Sequence, residues 1–179
     1  AIMYGMGVNK LSDQMDISVD EAKALVKQYH NRVPFVKALM NGVISRLNDK
    51  ASAGSIRSIL GRKCRFDLWE PDSFAMHKAL PYREAIQTHG ETTRLKRAYT
   101  YKALNRLIQA SAADMTKKAM VDLYKAGKTP LIQIHDEMAM SVKSRPEAKE
   151  IAQIMENAVP LVIPNKTDIE IGPSWGEAT

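Results

Sequence analysis

The chain has 179 residues, 45% of them apolar, with a formal charge of +6 and a pI near 9.4. That suits one substantial domain or two small lobes with a real core. It excludes a membrane-spanning helix, since no apolar run approaches the ~20 residues a bilayer needs. The lone cysteine, Cys64, excludes an internal disulfide and a Cys-rich zinc site and fits a reducing cytoplasm. The basic balance suits a polyanionic partner such as nucleic acid, and equally an ordinary basic surface. The opening residues, "AIMYGMGVNK", lack an initiator Met and a signal peptide's basic n-region. They begin inside an apolar pattern, as expected of a piece of a longer chain or one half of a split protein.

The elements read mostly helical, with no internal repeat. A short helix over 9–15 precedes "SVDE", where Ser18 and Glu21 have capping-box spacing. The next helix runs to about His30, with Leu25, Val26 and Tyr29 on one face. Pro34 suits the first turn of a third helix over 34–47, whose Val36, Leu39, Met40, Val43 and Leu47 follow helical spacing. "GSIRSILGRKCRF" alternates and turns at Gly61-Arg62, which predicts a short hairpin. Residues 70–92 hold two prolines and no long period, and read as an insertion or flexible segment with at most a helical turn or two over 73–79. A long helix is expected from about Thr93 to Ala126, stopped by Gly127. Ser144 and Glu147 predict a second capping box, opening a helix to about Ala158. "TDIEI" reads as a final strand. The sum is α+β.

Between those last helices lies "LIQIHDEMAMSV". Leu131, Ile132 and Ile134 precede His135, Asp136 and Glu137; Met138, Met140 and Val142 follow. Both arms read as buried strands of a hairpin with the polar trio in the connection. A solvated turn explains such a trio, because Asp bonds its own backbone in turns. So does metal binding, because carboxylates are hard oxygen ligands suited to Mg²⁺. One acid does not complete a two-metal phosphoryl-transfer site, which needs a second anchoring carboxylate. No other apolar strand ending in Asp offers one.

In "NRLIQASAADMTKKAM", Asn105 and Gln109 share a helical face at i and i+4. They are either solvated amides of an amphipathic helix or donors to the minor groove, where purine N3 and pyrimidine O2 accept with little regard to sequence. Arg94, Lys96, Arg97, Lys102 and Arg106 lie nearby and are candidates for phosphate contacts.

"YGM" at residues 4–6, "ILGRKCRF", "NRLIQASAAD", "IQIHDE" and the C-terminal "IEIGPSW" occur in an order that resembles the polymerase domain of family A DNA polymerases, the bacterial polymerase I type. The resemblance covers nearly the whole chain apart from the segment around 70–90. It implies a palm subdomain with antiparallel β-hairpins and long helices, plus the end of the fingers. On that reading, residues 1–50 end the fingers helices, 51–69 hold a hairpin, 70–92 are the insertion, and 93–179 form the palm. Tyr4 matches the tyrosine that lines the nascent base-pair site. Asn105 and Gln109 match residues contacting the primer–template minor groove, and Arg62 lies in a segment that approaches DNA. Asp136 matches the metal-ligating carboxylate, Glu137 is its acidic neighbour, and His135 lies near the primer terminus. Two Mg²⁺, primer–template DNA and deoxynucleoside triphosphates are implied.

The chain departs from the family pattern in places. Gln109-Ala110-Ser111 stands for Gln-Gly-Thr, and Tyr101 stands where an arginine is common. The segment over 70–92 points to a phage or viral branch. The motif bearing the first catalytic aspartate is missing, as are the start of the fingers helix, the thumb and any exonuclease domain. The resemblance places these upstream of Ala1, so an upstream polymerase segment or partner chain is expected to supply the second aspartate. The expected setting is the cytoplasm of a bacterial or phage-infected cell, with no membrane partner. Two rivals stay open. Single-subunit RNA polymerases share the His-Asp turn but usually continue with serine, where this chain has Glu137. A non-catalytic DNA-binding accessory fragment also fits a chain with one of two aspartates.

Overall fold

A computed structural model of the chain describes residues 6–178, without the side chain of Lys50. Tyr4 lies outside the described residues. The fold is α+β and divides into two compact units between Gln109 and Ala110.

The first unit opens with three helices, α1 (Val8–Met15), α2 (Val19–Arg32) and α3 (Pro34–Asn48). Helix α1 ends where Asp16 turns left-handed (φ 52°), and α2 starts at Val19, after the N-cap Ser18, with a full capping box. The Ser18 hydroxyl accepts from the Glu21 N–H at 3.3 Å, while the Glu21 carboxylate accepts from the Ser18 N–H at 2.9 Å. These bonds satisfy two helix-end N–H groups that otherwise lack partners. They also hold the Glu21 carboxyl below its ordinary value, chiefly through the Ser18 hydroxyl. Pro34 sits in the first turn of α3, where its missing N–H costs nothing. Val36, Val43 and Leu47 are the buried face of α3, and Leu39 stays exposed.

The core forms where α3 meets a hairpin of β1 (Ser55–Arg57) and β2 (Lys63–Arg65): Val43, Leu47, Ile56, Phe66 and Ala103 cluster, with Cys64 and Leu107 against them. The hairpin prediction holds. Ser58 closes its turn, donating its N–H to the Arg62 carbonyl at 2.9 Å and accepting the Arg62 N–H on its hydroxyl at 3.0 Å. Ile59 and Leu60 are exposed in that turn rather than continuing the strand.

Residues 70–92 differ from the aperiodic segment expected. They contribute to a three-stranded antiparallel sheet, order β4–β3–β5, from β3 (Leu68–Pro71), β4 (Leu80–Pro81) and β5 (Leu95–Arg97). Helix α4 (Tyr82–His89) packs on β3 and β4, with the Tyr82 ring edge-on to Trp69 at 5.0 Å. The strands are too short to show a period, and their partners lie far along the chain. Residues 73–79 are a loop, not helical turns. The long helix is also corrected: residues 95–97 pair with β3, Thr100–Lys102 form a single 3₁₀ turn, and α5 runs from Ala103 to Lys125. An available strand edge on β3 overrides local helix propensity there.

The second unit begins within α5. Gly127 ends that helix as expected, left-handed at φ 74°, with the Lys128 N–H reaching the Leu123 carbonyl at 2.8 Å and the Gly127 N–H reaching Tyr124 at 3.0 Å. A hairpin of β6 (Ile132–Ile134) and β7 (Glu137–Ala139) follows, then α6 (Arg145–Asn157). Ser144 caps α6 by accepting from the Glu147 N–H at 3.4 Å. The second capping box is only half formed, because the Glu147 carboxylate instead accepts from the Lys143 N–H at 2.7 Å and from Lys128 Nζ at 2.9 Å. "TDIEI" forms no strand: no ladder partner reaches it among the described residues, and an extended segment becomes a strand only by pairing. Glu156 holds its start, accepting the Thr167 N–H at 3.0 Å and facing Lys166 at 3.6 Å.

Candidate functional site

The acid-bearing hairpin is a two-residue turn. Ile134 pairs with Glu137, so His135 and Asp136 alone make the connection and Glu137 is already the first residue of β7. His135 takes the left-handed conformation (φ 53°) that such a tight reversal demands of its first residue. The Gln133 side chain donates to the His135 carbonyl and braces the tip. His135, Asp136 and Glu137 are all exposed. The expectation of buried arms is corrected: β6 is exposed along its length, with Leu131, Ile132 and Ile134 open to solvent, and β7 is only partly covered.

The amide pair lies on the first two turns of α5. Asn105 is half-buried and Gln109 exposed, one turn apart on one face. Arg106, between them, donates to the Arg65 carbonyl at 3.2 Å, and its guanidinium lies 4.8 Å over the Phe66 ring. It therefore fixes the start of α5 against the hairpin that carries Arg62, which is exposed in the β1–β2 turn. Asn105, Gln109 and Arg62 thus belong to one unit, and the acid trio to the other.

The remaining basic residues have partners that sequence spacing did not reveal. Arg94 and Lys96 flank Asp72 at 3.3 and 3.5 Å. Arg97 donates to the Phe66 carbonyl at 2.9 Å and stacks on Trp69 at 4.5 Å. Lys102 lies over Tyr99 and Tyr101, at 5.0 and 5.5 Å. Arg97 and Arg106 are therefore structural ties as much as surface charges.

The chain thus carries an acid-tipped hairpin in one unit and a helix start with spaced amides in the other, within an α+β fold. The chain matches the POL domain of Pol1 from M. smegmatis, solved in complex with DNA primer-template and dNTP, with a TM-score of 0.74 and 28% identity, over 99% of this chain and 29% of that one. The chain belongs to DNA polymerase family A, whose model matches residues 1–177. It is 37% identical over 158 residues to a DNA-directed DNA polymerase of Pseudomonas phage M6, covering 88% of this chain and 20% of that protein. It is 29% identical over 181 residues to the thermostable DNA polymerase I of Thermus aquaticus, covering 97% and 19%. The chain thus spans about a fifth of the length of these curated relatives. Among the described residues, no helix is long and apolar enough to cross a membrane.

Proposed function

We propose that the chain takes part in template-directed DNA synthesis, nucleotidyl transfer from a deoxynucleoside triphosphate to a primer 3′-hydroxyl, as the palm and final fingers portion of a family A polymerase. The observation that carries this is the position of Asp136, exposed on a braced two-residue turn, in a chain of this family. A rigid turn keeps a carboxylate within the narrow tolerance that catalysis needs.

Asp136 is the metal ligand in this reading, with Glu137 beside it and His135 near the primer terminus. Mg²⁺ usually takes one or two carboxylates plus waters and phosphate oxygens, so the donors at this tip fit a share of such a site. They do not make a whole one: among the described residues, no group of three or more His, Cys, Asp or Glu side chains can hold a metal. A second carboxylate from outside these 179 residues completes the proposal. Two bound Mg²⁺ would supply the charge that activates the 3′-hydroxyl and stabilises the departing pyrophosphate. Asn105 and Gln109 contact the minor groove of primer–template DNA, Arg62 approaches the DNA, and Tyr4 lines the incoming nucleotide. Support comes from the M. smegmatis relative, solved in complex with DNA primer-template and dNTP.

Primer extension by the assembled enzyme tests the assignment. Asp136→Ala should lose extension by orders of magnitude while DNA binding persists, and near-normal extension sinks it. The 179 residues alone should not extend a primer. Deoxynucleotide rather than ribonucleotide incorporation separates this reading from an RNA polymerase, and any templated incorporation separates it from an accessory fragment.

A further inference from the structure

We propose that the loop joining β3 to β4 is a nucleic-acid wedge, in which Phe74 and Met76 stack on unpaired DNA bases. Both side chains are as exposed as in an extended peptide, at 112% and 102% of the reference. They do not hang from a slack linker. The Asp72 N–H bonds the Arg94 carbonyl at 2.9 Å, and the Asp72 carboxylate is held by Arg94 and Lys96. Across the loop, the Ser73 hydroxyl and His77 Nε2 lie 2.9 Å apart, closing it beneath the two apolar side chains. The His77 ring meets His89 of α4 edge-on at 5.4 Å, which anchors the far side. Chain returns to the sheet at Leu80. The apolar tip is therefore presented on a fixed base.

Charge selects the occupant. At the foot of the loop Arg94 and Lys96 face Asp72 and, across the ladder, Glu70, and exposed Lys78 tips the balance to positive. Two apolar side chains above a positive base suit bases joined to phosphates. Phe and Met are among the side chains that enter between base steps and unstack them. Aromatic stacking on bases tolerates any sequence, as a template-copying protein requires. A protein-docking surface tends instead to be a contiguous apolar patch, whereas here the two side chains stand among Ser73, Ala75 and His77.

The wedge rests on the DNA-binding reading above, and the test separates the two. The assembled polymerase is titrated with forked DNA bearing unpaired ends and with a fully paired duplex, over a range of salt. Phe74→Ala with Met76→Ala should weaken fork binding about tenfold, with duplex affinity and the salt slope unchanged. Phe74→Trp should restore most of the loss. Lys78→Ala should reduce the salt slope by about one on both DNAs. Unchanged fork binding by the double variant overturns the wedge, including the case where the tip captures a protein instead. An equal loss on fork and duplex overturns it too. Failure of the unsubstituted enzyme to bind either DNA overturns the polymerase reading and the wedge with it.

Discussion

Gly54 and Arg97 form a pair whose coupling is measurable. Gly54 sits at φ 69°, and a Cβ added there would meet the Arg97 guanidinium carbon and Nη1 at 2.2 Å. The same guanidinium bonds the Phe66 carbonyl and stacks on Trp69, while the Gly54 carbonyl accepts the Phe66 N–H at 3.0 Å. Gly54→Ala therefore has two costs. A side chain in the left-handed region costs about 1–2 kcal/mol. Displacing Arg97 forfeits a hydrogen bond and a cation–π contact, together about 1–2 kcal/mol at a half-exposed site. The expected total is about 2–4 kcal/mol. In an Arg97→Ala background the second cost is absent, so Gly54→Ala should cost only about 1–2 kcal/mol. Urea unfolding followed by tryptophan fluorescence in a Trp175→Phe background, which leaves Trp69 under Arg97 as the reporter, reads this region. Equal costs in both backgrounds would show that the close approach contributes nothing.

Leu47, fully buried between α3 and the first hairpin, should cost about 2–5 kcal/mol on truncation to Ala, read as a lower urea midpoint. Ser18→Ala removes the α2 cap and should lose about 1 kcal/mol, with Ser18→Asp retaining most of it. The Lys128–Glu147 pair predicts a pH window. The pair favours both charged forms: hydrogen bonds to Glu147 and then Glu150 raise the Lys128 pKa above its ordinary value of 10.5, while Lys128 and then the Lys143 N–H hold Glu147 below its ordinary 4.5. Glu147's contribution is present above 4.5 and lost as pH falls through its lowered value. Lys128's is present below 10.5 and lost as pH rises through its raised value. Thermal unfolding of Lys128→Met should show a weaker pH dependence at both ends, and an unaltered profile would refute the linkage.

Where the fold was legible, a local signal decided it. Ser18 with Glu21, Pro34, Gly61 and Gly127 each impose a conformation on their own neighbours, and each stands where its chemistry requires. Where the fold was illegible, a distant partner decided it. Trp69 pairs with Arg97 across an intervening loop and helix, and no window of sequence holds both. Residues 95–97 became strand because β3 offered an edge, and "TDIEI" did not because nothing described offered one. Glu147 has the spacing of a capping-box acid, yet a nearby ammonium and the Lys143 N–H claim its carboxylate. The hairpin around Asp136 was readable from its flanking alternation, but not that its turn holds only His135 and Asp136, with Glu137 already in β7 rather than in the connection. The covering of its arms was not, since alternation reports a two-faced strand without saying what lies on either face. Likewise, a run of cations gives their charge but not that Arg97 and Arg106 are committed to Phe66 and its neighbours.

The two-residue turn at His135-Asp136 also limits how the length of the chain can vary. Because side chains alternate along β6 and β7, one residue inserted between Gln133 and Met138 would slide the ladder and send Ile134 or Glu137 to the opposite face. Asp136 would move by a strand step even if every residue around it were unchanged. An insertion at this tip would therefore displace Asp136 without altering any residue around it, whereas the loop over 72–79 lies outside the paired residues of β3 and β4.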